Sequence, residues 1–447
     1  MNPDSYIDKN MPSMISELQN LVAQPSVSAT GKGIEKCAKL VAASLKRSGI
    51  HSEILRLDNV APLVYGHVIS KKNPKKTLLF YNHYDVQPAE PLDKWTYPPF
   101  GRTVKGKKVY GRGSSDDKGE LVARIKAVES LLKTKGDLPC SIKFVIEGEE
   151  ETGSAHIEKY LKKYKKKFSC NAVIWEFGFV DSNDLPVVSL GMKGMLFAEF
   201  TARGPNMDAH SSLAVLIKNP AWRLLEALQT MRASDGRVLI DDWYKDAKKF
   251  TAHDLKLITD EPFDERAFKK EYGIREFVGG RRGTDVKAQL VGGATCNIAG
   301  ILSGYTGKGA KTILPSMATA KVDFRLVPGM SPTKQRTRLL KHLKSRGFSD
   351  IQVKIYHSEA ASRTNPDDKF VTTVCNAADS AFGGHILSIS SAGTGPMHQF
   401  ASTLKSPCVS IGCTHIFARI HSPNEYARKD LLNKAAKCMS KIIQNFA

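Results

Sequence analysis

Three short apolar runs decide the fold class: TLLFY at residues 77–81, SIKFVI at 141–146 and AVIW at 172–175. Each is the length of a buried strand. Between the first two, apolar side chains recur at the three-to-four spacing of an amphipathic helix, at Leu121, Ile125, Val128 and Leu131. Strands separated by helices favour an α/β fold with a mainly parallel sheet covered on both faces.

A second region begins near Gly191. Its predicted elements are a strand at 195–201, a helix that begins at Asn219-Pro220, a strand at 321–326 and a helix over 331–346. The stretch 233–290 is rich in charge and glycine and predicts no clear element. The tail returns to α/β character, with a strand at 408–411 and a helix over roughly 430–446.

The composition is that of a globular protein. The chain has 447 residues, 41% of them apolar and 25% charged, which excludes disordered and collagen-like classes and suggests two to three domains. No apolar run approaches the roughly 20 residues that span a bilayer, and residues 1–6 do not resemble a secretory signal. Eight scattered cysteines predict free thiols. We therefore expect a soluble, cytoplasmic protein without a membrane partner.

The net charge of +21 raises the question of a polyanion partner. The basic runs, such as Lys165-Lys166-Lys167 and Arg281-Arg282, are dispersed along the chain and are not interleaved with aromatic residues. A nucleic-acid interface would concentrate them on one face with stacking aromatics. The pattern favours solvated lysines and no nucleic-acid partner, with a polyanion-binding surface as the alternative.

Proteins with a parallel sheet usually bind their ligands at the carboxyl ends of the strands. The residues that follow each apolar run are therefore candidates for a functional site. His83 follows the first run, and Asp85, two residues on, can orient its imidazole. Three consecutive glutamates, 149–151, follow the second run, and Glu176 follows the third. Taken singly, each has an ordinary explanation as a turn, a helix cap or a solvated loop.

Asp116 precedes the predicted helix, and His421 lies in a turn near the C-terminus. Together with the residues after the strands, they supply enough ligands for two divalent ions. The set is His83, Asp116, Glu151, Glu176 and His421, with one aspartate shared between the ions. Mixed nitrogen and oxygen donors suit zinc, with manganese or cobalt as alternatives. The chain contains neither a G-x-S-x-G nor an H-E-x-x-H motif, which removes two common hydrolase types.

Three motifs resemble those of the co-catalytic dimetal metallopeptidase family. They are HYDVQP at 83–88, YGRG with DDKG at 110–119, and EETGS at 150–154. The family includes carnosinase-like dipeptidases, glutamate carboxypeptidase, aminoacylase and succinyl-diaminopimelate desuccinylase, and the first motif most resembles the dipeptidase branch. The resemblance is dense over roughly 77–220 and returns at 318–328 and 390–427.

The resemblance implies a role for each candidate residue. Asp116 would bridge two ions, with His83 and Glu176 on one and Glu151 and His421 on the other. Glu150 would be the general base, and Asp85 would orient His83. The positions implied to contact substrate are His210, which would reach the neighbouring subunit's site and steady the oxyanion, and Arg325, Gly393 and Thr394, which would hold the substrate carboxylate.

The family fold implies a catalytic domain at 1–190 and 359–447, interrupted by an α+β lid and dimerisation domain at 191–358. Two positions depart from the pattern. Carnosinase-like members commonly carry aspartate where this chain has Glu176, and a small or apolar residue is more usual at Glu120.

We expect a metal-dependent hydrolase that cleaves dipeptides or short peptides with a free carboxylate and works as a homodimer. An N-acyl-amino-acid deacylase would use the same ions and base, and it remains the alternative. The residues alone also allow phosphoester hydrolysis at a dimetal site. Metal identity and side-chain preference do not follow from the sequence.

Overall fold

A computed structural model describes residues 1–176 and 178–447. These residues form two compact units. The first comprises Met1–Gly191, Arg363–Ile389 and Pro396–Ala447, and the second comprises Met192–Ser362 and Ser390–Gly395. The first unit is therefore built from three separate pieces of the chain.

The described residues contain fourteen α-helices. In chain order they are α1 (Pro3–Lys9), α2 (Met11–Ala23), α3 (Ile34–Arg47), α4 (Lys118–Lys135), α5 (Ile157–Lys163), α6 (Lys165–Phe168), α7 (Pro220–Gln229), α8 (Ala252–Asp260), α9 (Glu265–Tyr272), α10 (Thr284–Gly292), α11 (Pro332–Ser345), α12 (Lys369–Phe382), α13 (Met397–Leu404) and α14 (Lys429–Asn445).

The strands, also in chain order, are β1 (His51–Leu55), β2 (Leu63–Val68), β3 (Thr77–His83), β4 (Val104–Lys105), β5 (Lys108–Tyr110), β6 (Ser141–Glu147), β7 (Ala172–Trp175), β8 (Phe179–Val180), β9 (Val187–Ser189), β10 (Gly191–Met192), β11 (Gly194–Arg203), β12 (Ala209–His210), β13 (Asn297–Ser303), β14 (Ile313–Leu314), β15 (Met317–Leu326), β16 (Gln352–Glu359), β17 (Ser362–Arg363), β18 (Ile386–Ser388), β19 (Cys408–Ser410), β20 (Thr414–His415) and β21 (Tyr426–Arg428).

The first unit is organised around an eight-stranded sheet with the order β1-β2-β6-β3-β7-β19-β9-β18. Its centre, β6-β3-β7-β19, is parallel, as the three apolar runs predicted. The outer strands β1 and β2 pair antiparallel with each other, and β2 pairs antiparallel with β6. A mainly parallel sheet is confirmed, and its antiparallel edge is an addition that the apolar runs did not indicate.

Helix α4 differs from the predicted amphipathic helix. All of its residues from Lys118 to Leu131 are buried, because α1, α2 and α14 cover it on the side away from the sheet. Its polar side chains therefore find partners inside the protein. Lys118 Nζ donates to the carbonyl oxygens of Leu21 and Gln24, at 2.9 and 3.0 Å.

The second unit is an antiparallel sheet with helices on one face. Strands β13-β15-β11-β16 form the sheet, and α7 and α11 pack against it. Burial alternates along β11, as expected for a strand with one face toward a core. The predicted helix start is confirmed, since the Asn219 side chain accepts a hydrogen bond from the amide of Ala221 at 2.8 Å. No helix among the described residues is both long and apolar enough to cross a membrane.

Candidate active site

The predicted metal ligands lie at the ends of the central strands of the first unit. His83 is the last residue of β3, and Glu176 directly follows β7. Glu150 and Glu151 lie in a short 3₁₀ turn after β6. Asp116 precedes α4, and His421 lies in the turn between β20 and β21. This edge of the sheet is where a parallel arrangement places ligands.

Asp116 lies between two histidines, with one carboxylate oxygen toward each. Its Oδ1 is 3.0 Å from His83 Nε2, and its Oδ2 is 3.2 Å from His421 Nε2. The same His421 nitrogen is 3.1 Å from Glu151 Oε2. Potential ligand atoms also lie within 4.8 Å of one another in two groups, His83 with Asp116 and Glu151, and His83 with Glu150 and Glu176. The structure thus brings all five predicted ligands and Glu150 into one cluster.

The cluster fits divalent cations. Glu151 Oε1 and Glu176 Oε2 are buried oxygens without a hydrogen-bond partner. Burial raises the pKa of Glu176 well above its ordinary value. Burial lowers the pKa of His83, but hydrogen bonds to Asp116 and Asp85 outweigh it and raise that pKa. The buried carboxylates of Glu151 and Glu176 thus each have an oxygen with no hydrogen-bond donor, and a bound metal ion would supply the missing positive charge.

The run of glutamates divides into side chains with different partners. Glu149 points away from the cluster, where its Oε1 accepts from the Ala61 amide at 3.2 Å and its Oε2 is 2.8 Å from His156 Nδ1. Glu150 lies beside His83 and Glu176. Burial, followed by the charge of Glu176, raises the pKa of Glu150 well above its ordinary value. A carboxylate with a raised pKa is a stronger base than an ordinary one.

Asp85 contacts two parts of the site. Its carboxylate accepts hydrogen bonds from the backbone amides of Glu150 and Glu151, at 3.2 and 3.0 Å. The closer partner of His83 Nδ1 is the backbone oxygen of Asp85, at 3.1 Å, while the side-chain Oδ1 is 3.5 Å away. The sequence predicted that Asp85 orients His83. In the structure its carboxylate also holds the turn that carries the two glutamates.

A model of the peptidase family M20/M25/M40 matches residues 79–445 of this chain. The chain belongs to this family. It is similar to a solved structure of the M20 family metallo-carboxypeptidase Sso-CP2 from Sulfolobus solfataricus, with 35% identity, a TM-score of 0.91, and coverage of 97% of this chain and 99% of the other.

Two curated relatives are named dipeptidases. The Beta-Ala-His dipeptidase of Rattus norvegicus is 28% identical over 61% of this chain and 56% of its own length. The Cys-Gly metallodipeptidase dug1 of Schizosaccharomyces pombe is 28% identical over 78% of this chain and 76% of its own length. The chain thus spans little more than half of the rat relative that it matches.

In this M20/M25/M40 family member, a buried salt bridge supports the loop before Asp116. Arg112 Nη1 and Glu425 Oε2 are 2.7 Å apart, and both side chains are about 1% exposed. The other oxygen of Glu425 accepts from the amides of Ser115 and Asp116, at 3.1 and 3.2 Å. No role for Glu425 was predicted from the sequence, although this residue lies four residues after His421.

Arg124 connects β3 and β7, the two strands at whose ends His83 and Glu176 lie. Its Nη1 donates to the carbonyl oxygen of Tyr81 at 2.7 Å, and its Nη2 donates to that of Trp175 at 2.5 Å. The side chain is fully buried. A charged residue within a predicted amphipathic helix is expected on the solvent-exposed face, so the amphipathic pattern did not indicate this buried role for Arg124.

Glu120, one of the two departures from the family pattern, is buried beside the segment that follows β19. Its Oε1 accepts from the amide of Cys413 and the hydroxyl of Thr414. Burial raises its pKa to about 7. Glu120 thus joins α4 to the chain that leads toward His421.

The four remaining predicted site residues lie in the second unit. Arg325 is in β15, and its Nη1 donates to Thr394 Oγ1 at 2.6 Å. The Gly393 amide donates to Ser391 Oγ at 3.1 Å. His210, in β12, is exposed, and its Nδ1 is 2.8 Å from Ser212 Oγ. Arg325 and Thr394 are therefore in contact with each other.

Proposed function

We propose that this chain hydrolyses the amide bond of dipeptides or short peptides that carry a free carboxylate. The observation that carries the proposal is the position of Asp116 between His83 and His421, with Glu150 beside the same cluster. The names of the relatives support it, since two are dipeptidases and one is a metallo-carboxypeptidase.

His83, Asp116 and Glu176 would hold one divalent ion, and Asp116, Glu151 and His421 a second. Bound ions supply Lewis acidity, which lowers the pKa of a water molecule and polarises the substrate carbonyl. We propose zinc, with manganese or cobalt as alternatives, because imidazole and carboxylate ligands suit all three.

Glu150 would act as general base and then as general acid. Its carboxylate takes a proton from the attacking water, whose oxygen forms a bond to the carbonyl carbon. As the carbon–nitrogen bond breaks, Glu150 returns that proton to the leaving amine, so the carboxylate is regenerated. The hydrogen bonds from the Glu150 and Glu151 amides to Asp85 hold this turn in place.

Residues of the second unit would bind the substrate. Arg325, with Thr394 and Gly393, would hold the substrate carboxylate, and the Arg325–Thr394 hydrogen bond supports a shared role. His210 would steady the oxyanion in the active site of a second subunit. This assigns the lid and dimerisation role to residues 191–358 and makes the protein a homodimer. The eight free cysteines fit a cytoplasmic enzyme.

The deciding experiment measures amine release from dipeptides and from N-acetyl amino acids, first after metal removal and then after zinc or manganese is restored. Metal-dependent cleavage of dipeptides is the expected result. Cleavage of the N-acetyl amino acids alone would replace the proposal with a deacylase. Metal binding without cleavage of either class would contradict the proposed substrates.

A further inference from the structure

A cavity of about 680 Å³ lies within the second unit. Every residue that lines it belongs to that unit, and many come from the segment 233–290 and its continuation to Ile298. This is the segment to which the sequence assigned no role. The volume falls within the range of about 300–1,000 Å³ that is usual for small-molecule sites.

One side of the cavity is an aromatic wall made of Phe263, Phe268 and Phe277. The ring of Phe268 lies 5.5 Å from that of Phe263 and 5.8 Å from that of Phe277. All three rings are only half-buried, and none belongs to the hydrophobic core of the second unit. Aromatic rings that remain accessible inside a concavity offer a surface for an apolar ligand group.

The lining also contains two basic residues, Lys193 and Arg325, called here the basic pair. Lys193 is 3% exposed, and its Nζ has only carbonyl partners, Gly293 O at 2.6 Å and Gln289 O at 3.4 Å. Burial, followed by the charge of Arg325, lowers the pKa of Lys193 to about 8. Two cationic side chains thus line one cavity and repel each other, and a bound anion would reduce this unfavourable electrostatic energy.

The other charges of the lining do not neutralise the basic pair. Asp323 is the one carboxylate among the lining residues, and its Oδ1 is 3.9 Å from Arg325 Nε. Its Oδ2 accepts from Asn297 Nδ2 at 2.7 Å. Arg232 and Arg281 also line the cavity, so positive charge exceeds negative charge there. The lining therefore matches a ligand that joins a large apolar group to a carboxylate.

We propose that this cavity receives the C-terminal residue of the substrate, with its large apolar side chain against the aromatic wall and its carboxylate at the basic pair. The proposal rests on the proposed peptidase function and extends it to a substrate class, peptides that end in Phe, Leu, Met or Tyr. The segment 233–290 then sets the side-chain preference.

The test compares kcat/KM for Ala-Phe with that for Ala-Gly, which share the same N-terminal residue. A pocket that buries the larger side chain favours Ala-Phe by roughly tenfold or more. Phe268→Ser removes part of the aromatic wall and lowers the ratio toward one. Leu255→Ser is the matched control, because Leu255 is exposed on α8 and does not line the cavity. A ratio near one in the unaltered enzyme, or a ratio unchanged by Phe268→Ser, overturns the proposal.

A binding measurement separates failure of the cavity from failure of the peptidase function. Titration calorimetry on the full chain compares N-acetyl-L-phenylalanine, N-acetylglycine and L-phenylalanine amide. Tighter binding of the first, lost in Phe268→Ser, supports the cavity even if no dipeptide is cleaved. Equal binding of all three overturns it even if dipeptides are cleaved.

Discussion

Arg112 and Glu425 form a salt bridge that is buried on both sides and anchors the backbone amide of Asp116. Removal of one partner from such a pair leaves a buried charge uncompensated. Glu425→Gln is therefore expected to lower the stability of the protein by about 3–5 kcal/mol. The measurement is the thermal unfolding midpoint of the metal-free protein.

An exposed ion pair provides the control for this substitution. Glu158 and Lys162 are 2.6 Å apart, but both side chains are more than half exposed. Glu158→Gln is expected to change stability by less than about 1 kcal/mol. Equal losses of stability on Glu425→Gln and Glu158→Gln would contradict a larger contribution of the buried Arg112–Glu425 pair to stability.

Glu150→Gln is expected to reduce kcat by roughly 10²–10⁴-fold while the metal content stays the same, because the amide cannot take a proton from water. Glu149→Gln is the matched control, since Glu149 contacts Ala61 and His156 outside the cluster. Turnover and metal content, measured on both variants, decide the matter. A larger loss of turnover in the Glu149 variant than in the Glu150 variant would contradict the assignment of Glu150 as the general base.

Arg124→Lys is expected to weaken metal binding by roughly 10–100-fold, as is usual when a group that positions ligands is altered. Arg124 uses a separate nitrogen for each carbonyl oxygen, those of Tyr81 and Trp175, whereas lysine has one terminal nitrogen on a shorter side chain, so the link between the ends of β3 and β7 is weakened. Equilibrium metal titration of the folded variant measures the effect. Arg56→Lys, at an exposed position, is the control. An affinity as high as that of the control would leave Arg124 with a purely structural role.

Glu129 gives a prediction for pH. Burial raises its pKa, but Lys126 Nζ at 2.7 Å and the hydroxyls of Ser48 and Tyr6 outweigh burial and hold the pKa below its ordinary value. A lowered carboxyl pKa stabilises the folded state above the pKa of the unfolded chain, and this stabilisation is lost as the pH falls through the folded value.

The free energy of unfolding is therefore compared between the unaltered protein and Glu129→Gln. The difference is expected to be about 1–3 kcal/mol at neutral pH and to shrink below about pH 4. A difference that stays constant down to pH 3 would contradict the role of the Glu129 charge.

The elements of the fold were largely predictable because their signal is local. The runs at 77–81, 141–146 and 172–175 became β3, β6 and β7 with bounds within two residues. The position of helix α4 was predicted, but its burial on all sides was not. Its burial depends on α14, which follows almost three hundred residues later, and no local pattern reports such a contact.

The candidate site shows the same division. His83, Asp116 and Glu176 could be proposed because each follows or precedes a recognisable element. The different partners of Glu149 and Glu150 could not, because three consecutive glutamates look alike until the 3₁₀ turn fixes their directions. The role of Lys193 was missed for a related reason, since its environment is created by the carbonyl groups of Gln289 and Gly293, about a hundred residues away in the chain.

The three-piece construction of the first unit also orders events during synthesis. Strand β7 leaves the ribosome early, but its neighbour β19 and the His421 turn follow only after the whole second unit has been made. At roughly 5–20 residues per second, this interval lasts about 10–50 seconds. During it the nascent chain carries an open parallel sheet edge and four of the five proposed metal ligands. All of the second unit, including residues 390–395, is synthesised before β19 and His421. The proposed set of metal ligands is therefore completed among the last steps of biogenesis.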